Sequence, residues 1–318
     1  MARRATRTGQ PEGGSAIVVT GFCGRLGKRV TRVLHRTERV VGIDRRPFPE
    51  APPDVVHHAI DIRRKKCRDV FRRGEVKAVL HLGVMHDPRQ GSVEHHTWNV
   101  VAFAKLLEYV AEYRIPKLVV LSTANIYGPQ PGNAQFLGED APLLGGASYP
   151  EIRDLVEADM LAQSFFWKHP KIETVILRPV HILGTVKNAP SNYLRRPWVM
   201  TLLGFDPMVQ VIHEDDVVQA ITLALRPGMR GIFNLAGAGE APLSRMLRAL
   251  GKRRVTVPHV VAKPALRAMW RFGLTGFPPP EVDHIRYVCM VDGTRAREVL
   301  GFEPRHSLEE TLHAVEDA

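Results

Sequence analysis

A short β-branched run, Ala16-Ile17-Val18-Val19-Thr20, passes without a spacer into Gly21, Gly24 and Gly27, and then into apolar positions Leu26, Val30, Val33 and Leu34 at helical spacing. That is a strand, a tight turn and a helix. Glycines let the backbone of such a turn approach an anion closely, and the exposed N–H groups and positive dipole end of the helix favour negative charge there. Asp44 closes the next apolar run, Val40 to Ile43, a little over 20 residues downstream. A carboxylate at that place accepts hydrogen bonds from the ribose of a dinucleotide. It also repels a 2′-phosphate, so NAD is favoured over NADP, although Arg25, Arg45 and Arg46 lie near enough to pair with a phosphate.

The same alternation continues. Val55 to Ile60, Ala78 to Gly83 and Lys117 to Ser122 read as strands, Trp98 to Tyr113 and Tyr149 to Trp167 as helices, and Glu173 to Leu177 as a further strand. Buried, non-alternating strands separated by helices specify a parallel sheet covered on both faces with right-handed crossovers. The expected class is therefore α/β, a doubly wound parallel sheet (Rossmann fold), with a smaller mixed substrate-binding lobe on the C-terminal side. The expected division is a disordered basic tail at 1–15, an NAD-binding domain at 16–183 to which 209–235 returns, and a lobe built from 184–208 and 236–318.

Composition removes several other readings. No apolar run approaches the about 20 residues that span a bilayer. The leader bearing Arg3, Arg4 and Arg7 lacks the apolar core of a secretory signal. Three cysteines, Cys23, Cys67 and Cys289, form neither a metal-type pair nor an even disulfide set, which points to a reducing, cytoplasmic setting. The formal charge of +11 is spread over scattered clusters without interleaved aromatics, so no specific nucleic-acid partner is expected. His57-His58 and His95-His96 lack the one-turn spacing that presents two ligands to one ion, and no metal is assigned.

With those residues placed, the chain resembles the extended short-chain dehydrogenase/reductase group, specifically the NAD-dependent epimerase/dehydratase family, over nearly its whole length. Gly21, Gly24 and Gly27 match the family's spaced glycines; Asp61-Ile62 is similar to its adenine-contacting pair; His81-Leu82-Gly83-Val84 is similar to its fourth-strand motif; and Asn99 matches an asparagine of the next helix. Ser122-Thr123-Ala124-Asn125-Ile126-Tyr127-Gly128 resembles the fifth-strand motif, Leu177-Arg178-Pro179 and Val211 to Val217 two later signatures, and Gly301 to Glu310 the carboxyl-terminal pattern. The resemblance implies that Gly21, Cys23, Gly24, Arg25, Leu26, Gly27, Asp44, Asp61, Ile62, Leu82, Gly83, Asn99, Ser122, Tyr149, Arg153 and Pro179 hold the cofactor. It implies Thr123, Tyr149 and Arg153 as the reactive set.

The family carries a Tyr and a Lys four apart on one helix face; here Tyr149 takes the first place and Arg153 the second. An arginine supplies fixed charge but cannot relay a proton. The resemblance implies an NAD(H)-dependent oxidoreductase or epimerase acting on a secondary alcohol or ketone, in a sugar or sugar nucleotide, with an anionic or polyhydroxylated small-molecule substrate and a homodimeric assembly. Two other readings stay open: a non-catalytic NAD(P)-sensing protein that lost the lysine, and a lipid- or sterol-type alcohol dehydrogenase at a membrane surface. The last rests on Lys263, Arg267 and Arg271, which recur every fourth residue beside Leu266, Met269, Trp270 and Phe272. His181 is a second acid/base candidate, and Cys23 a candidate oxidation-sensitive thiol.

Overall fold

The structure, a computed structural model, describes residues 15–73, 75–85, 92–147, 150–186, 188–272 and 279–316. The expected disordered tail lies outside these residues except for Ser15. Strand and helix alternate through β1 (Ala16–Thr20), α1 (Arg25–Leu34), β2 (Val40–Ile43), β3 (Val56–His58), α2 (Lys66–Arg73), β4 (Val76–His81), α3 (Ser92–His96), α4 (Ala102–Glu112), β5 (Lys117–Leu121), α5 (Pro150–Lys168) and β6 (Glu173–Pro179). There follow β7 (His181–Leu183), α6 (Ala189–Leu194), β8 (Trp198–Leu202), β9 (Met208–His213), α7 (Glu214–Ala224), β10 (Gly231–Leu235), β11 (Glu240–Pro242), α8 (Leu243–Ala249), β12 (Arg253–Val257), α9 (His259–Arg271) and α10 (Leu308–His313).

Seven strands form one parallel sheet in the order β10-β6-β5-β4-β1-β2-β3. Its strands bury both faces, and the alternation inside them sorts the core. Ile17, Val19, Leu80 and Val119 point to one face with α1 and α7; Val18, Val79, Leu118 and Val120 point to the other with α4 and α5. The chain runs outward from β1 through β3 and then restarts at β4 on the other side of β1. The strand order therefore reverses between β1 and β4, where a doubly wound sheet opens a crevice at its carboxyl edge.

A third core, with Leu183, Tyr193, Leu202, Leu247, Leu266 and Ile285, belongs to the smaller lobe, whose strands pair as β11-β9-β7 and β12-β8. Strand β9 is the seam. It hydrogen-bonds in the small sheet, yet Ile212 packs in the large core while Val211 packs in the lobe. Arg29 of α1 closes this seam from the other side, donating from Nε and Nη2 to Asp215 at 2.9 and 2.8 Å.

Candidate functional site

The turn after β1 is shaped by contacts that only glycine tolerates. Gly21 has φ +71°, and a Cβ there would stand 2.6 Å from the Gly83 nitrogen and the Leu82 carbonyl. A Cβ on Gly27 would stand 2.4 Å from the Gly21 oxygen. Gly24 caps α1 without a side-chain hydrogen bond, and the first turn of α1 holds no acidic residue. The leading N–H groups of α1 are thus left to an outside acceptor, and the helix dipole favours an anionic one. Leu26 is half-buried behind the turn, and exposed Arg25 reaches over the edge to the Thr185 carbonyl.

Asp44, buried at the end of β2, faces this turn. Its Oδ2 accepts from the Cys23 N–H at 3.0 Å and from Arg46 Nη2 at 2.8 Å; its Oδ1 accepts from the Arg46 N–H and Nε, both at 3.0 Å. Burial opposes ionisation of Asp44, but the Arg46 and Cys23 bonds prevail and its carboxyl is held below the usual value. The Cys23 thiol goes the other way. Burial and then the Asp44 charge push it up to about 11, and its Sγ donates to the Arg46 carbonyl.

Beside Asp44 a small cavity of about 10 Å³ is lined by Ile43, Ile60, Ile62, Gly83 and Trp98. Trp98 and Asn99 sit in a π-helical turn, Thr97–Val101, between α3 and α4. Such turns re-aim side chains out of the regular helical register. Trp98 Nε1 donates to the Gly83 carbonyl at 2.9 Å, while the guanidinium groups of Arg45 and Arg63 lie 5.0 and 5.4 Å from its ring centroid. Asp61, beside Ile62, is paired bidentately with Arg63. Asn99 is buried and clasps the loop after β4: it accepts from the Met85 N–H at 2.8 Å and donates to the Met85 carbonyl at 3.0 Å. Leu82 donates its N–H to the Thr20 carbonyl, and His81 Nδ1 meets Thr20 Oγ1 at 2.7 Å. Burial lowers the His81 pKa to about 3, so this imidazole is neutral.

At the ends of β4 and β5 a second cavity, about 20 Å³, is lined by His81, Asn99, Ser122, Thr123 and Asp159 among others. Thr123 is half-buried and its Oγ1 accepts from the Asn125 N–H, which fixes the start of the following short helix. Ser122 is turned inward and donates to Asp159 at 2.6 Å. Pro179 is buried at the end of β6, paired in register with Leu235. Arg153, one turn into α5, is exposed and packs over Gly146; it makes no ion pair among the described residues. Tyr149 lies outside the described residues. His181 faces His284, their rings 5.4 Å apart, and burial together with that neighbour lowers it to about 4.

Among the described residues, two clusters bring metal-type donors together. In the first, His213, Asp215 and His306, the two rings stack at 3.8 Å, His213 Nδ1 already accepts from the Asp215 N–H, and Asp215 is clamped by Arg29. In the second, His96 Nδ1 and Asp154 are already paired at 3.0 Å, and Glu157 is exposed. The donors are spoken for, and neither cluster is assigned an ion.

Three features of the site escaped the sequence reading. Arg46 as the partner of Asp44 was readable only as a phosphate ligand. Trp98 carried no signal because its role depends on the π-helical turn. The pair Asp159–Arg178, with both side chains fully buried and Arg178 also donating to Tyr127 Oη at 2.7 Å, ties helix α5 to β6. Its one legible trace was an arginine inside an apolar strand.

Fold and site together define a class: doubly wound α/β proteins whose first strand-to-helix turn is built to receive a diphosphate, with a reaction cleft at the carboxyl edge. The chain belongs to the NAD dependent epimerase/dehydratase family, whose profile it matches over residues 17–236. It is 28% identical over 326 residues to an uncharacterised protein of Mycobacterium tuberculosis, covering 96% of this chain and 84% of that one. It is 24% identical to a UDP-glucose 4-epimerase of Halalkalibacterium halodurans, covering 93% of each. Among solved structures, MoeE5 in complex with UDP-glucuronic acid and NAD shares the fold at a TM-score of 0.75 and 21% identity, covering 95% of this chain and 98% of that one. A UDP-glucose 4-epimerase of Thermotoga maritima, solved with UDP-glucose, does so at 0.73 and 20%, covering 95% and 97%.

Proposed function

We propose that this chain is an NAD(H)-dependent oxidoreductase of the epimerase type, acting on a secondary alcohol of a sugar nucleotide. The observation that carries this reading is the closed geometry of Gly21, Gly24 and Gly27 facing the buried carboxylate of Asp44. The residues fit the cofactor: a cradle that any Cβ would fill, free helix N–H groups, and an acidic acceptor beside an apolar pocket. Gly21, Cys23, Gly24, Arg25, Leu26 and Gly27 would hold the diphosphate. Asp44 would hold the ribose, and Asp61, Ile62, Leu82 and Gly83 the adenine end. Asn99, Ser122, Tyr149, Arg153 and Pro179 would border the nicotinamide end. NAD, when bound, supplies a hydride acceptor.

The chain's own part is proton handling and orientation. Thr123 Oγ1 would donate to the reacting oxygen, and Tyr149 would take the proton from the substrate hydroxyl and return it. Arg153, exposed and without an ion-pair partner among the described residues, would stabilise the phenolate by charge. It cannot pass the proton on, so relay to solvent needs another path. The substrate would sit between the sheet's carboxyl edge and the lobe of 184–208 and 236–318, with NAD held by 16–183 and 209–235. Exposed Val101, Met160 and Trp167 on the α4 and α5 side support a homodimer. All three cysteines are free, which supports a cytoplasmic site.

Turnover on UDP-glucose and UDP-glucuronate, followed by separation of the 4-epimers, tests the reading. Tyr149→Phe should lower kcat at least about 100-fold while NAD still binds, since a positioned acid/base group contributes roughly that much. Retained turnover in that variant removes Tyr149 from the mechanism. The NAD-sensing alternative draws on Arg153: if the wild type binds NAD but is inert and Arg153→Lys is active, the sensor reading replaces the enzyme one.

A further inference from the structure

Between Glu240 and Glu281 the chain has no Asp or Glu, yet it carries Arg245, Arg248, Lys252, Arg253, Arg254, Lys263, Arg267 and Arg271. Two of these cations are neutralised from elsewhere, Lys252 by Glu316 at 3.0 Å and Lys263 by Asp283 at 2.9 Å. The six arginines are all exposed and make no ion pair among the described residues. Unpaired positive charge is therefore concentrated on the segment between Glu240 and Glu281.

Helix α9 shows what accompanies that charge. The sequence pattern set Leu266, Met269, Trp270 and Phe272 together as an apolar side, but only part of that side turns inward. Ala262 and Leu266 are buried against the lobe, where α9 packs on the turn Pro279–Ile285. The outward side is also apolar. Val261, Ala265, Ala268 and Phe272, at spacings of four, three and four, are all exposed, with Val260 beside them; Val260 is 67% and Phe272 74% exposed. Arg267 and Arg271 flank this stripe. A solvent-facing helix surface is ordinarily polar, and an apolar stripe bordered by arginines is the pattern of a helix lying in a membrane interface.

We infer that the outer face of α9, with the arginines around it, docks on an anionic lipid surface. The strand before it extends the same chemistry: Arg253, Arg254 and Val255 of β12 are exposed, and β12 runs into α9 through Pro258 alone. No described helix is long and apolar enough to cross a membrane, so α9 lies in the plane of the surface. At 13 residues it spans roughly 20 Å. The aliphatic stripe favours acyl chains over a nucleic acid, which would use the arginines and leave the valines in water. The inference stands apart from the proposed sugar-nucleotide chemistry, because none of its residues is among those given a role at the cofactor or the reacting atoms, and all lie on the exposed face of the lobe.

Co-sedimentation of the full chain with vesicles of phosphatidylglycerol and phosphatidylcholine, against phosphatidylcholine alone, tests it. Binding should require phosphatidylglycerol and weaken with salt. Arg267→Glu with Arg271→Glu should reduce it by at least about tenfold, since each cation near such a surface contributes about fivefold. Val261→Asp with Phe272→Asp should reduce it comparably. Both variants change exposed side chains only and should keep the wild-type melting temperature and NAD affinity. No pelleting at low salt overturns the inference, as does pelleting that survives the apolar substitutions, which would mean adsorption by charge alone. A wild-type dimer that dissociates in Val261→Asp/Phe272→Asp would make this face a subunit contact and overturn it too. So would tighter binding to RNA than to the anionic vesicles.

Discussion

The Asp44 carboxylate offers about four acceptor positions, and the structure fills all of them: the Cys23 N–H, the Arg46 N–H, and Arg46 Nε and Nη2. A ribose diol can be accepted only if the Arg46 side chain lets go. That side chain is 58% exposed against 3% for Asp44, so the pair belongs near the upper end of the surface range, about 1 kcal/mol. Removing the competitor with Arg46→Ala should therefore tighten NAD by up to about fivefold, as 1.4 kcal/mol is tenfold. Removing the acceptor with Asp44→Ala should weaken NAD about 10- to 100-fold, because hydrogen bonds to a charged group contribute about 1.5–3 kcal/mol. In the double variant the Arg46 benefit should vanish, since the penalty exists only while Asp44 is present. NADH fluorescence titration of the four proteins reads these constants, with thermal melts to check the Cys23 N–H left unpaired in Asp44→Ala. If Arg46→Ala weakens NAD tenfold, or Asp44→Ala leaves it unchanged, the assignment of this clamp to the ribose is wrong.

Further consequences follow from the buried polar groups. Asp159→Asn leaves the fully buried Arg178 charge uncompensated and should cost about 3–5 kcal/mol in urea unfolding; a loss below about 1 kcal/mol would show that water reaches the pair. His81 is lowered to about 3 and His181 and His284 to about 4, all from 6.5. Their folded-state pKa values lie below the unfolded one, so the stability they allow is complete above about pH 6.5 and is lost as the pH falls toward 4. The melting temperature should drop between pH 7.5 and 5, and less so in a His181→Asn/His284→Asn variant; equal melting at both pH values would contradict this. Cys23, raised to about 11, should resist iodoacetamide at pH 7.5 in the folded protein and react after denaturation. Rapid alkylation of Cys23 in the native state would restore its role as a redox-sensitive thiol.

Much of this was legible because it is local. The β1 turn and α1 are specified within Ala16 to Leu34, where apolar period and glycine spacing speak together, and the strands β2, β4, β5 and β6 declare themselves as apolar runs between helical patterns. What stayed hidden depends on partners distant in sequence or on departures from regular geometry. Asp159 and Arg178 are 19 residues apart, and Arg178, though conspicuous in an apolar strand, names no partner until α5 packs on β6. Trp98 reaches Gly83 only because Thr97–Val101 is π-helical. Helix α9 was seen as amphipathic, but periodicity could not say which apolar residues face the lobe; Leu266 turns in and Phe272 turns out. The division of the chain into lobes was harder still, since β9 pairs with one and packs on both.

The central claim is that the β1 turn and Asp44 together receive a nicotinamide dinucleotide. Isothermal calorimetry of NAD⁺ against the wild-type chain and Gly27→Val measures it directly, because the added side chain would occupy the space 2.4 Å from the Gly21 oxygen that the diphosphate turn keeps closed. A saturable one-to-one heat in the wild type that is lost in a still-folded Gly27→Val is the predicted result. A folded wild type that gives no heat with NAD⁺ or NADH, or a variant that binds as tightly as the parent, would contradict it.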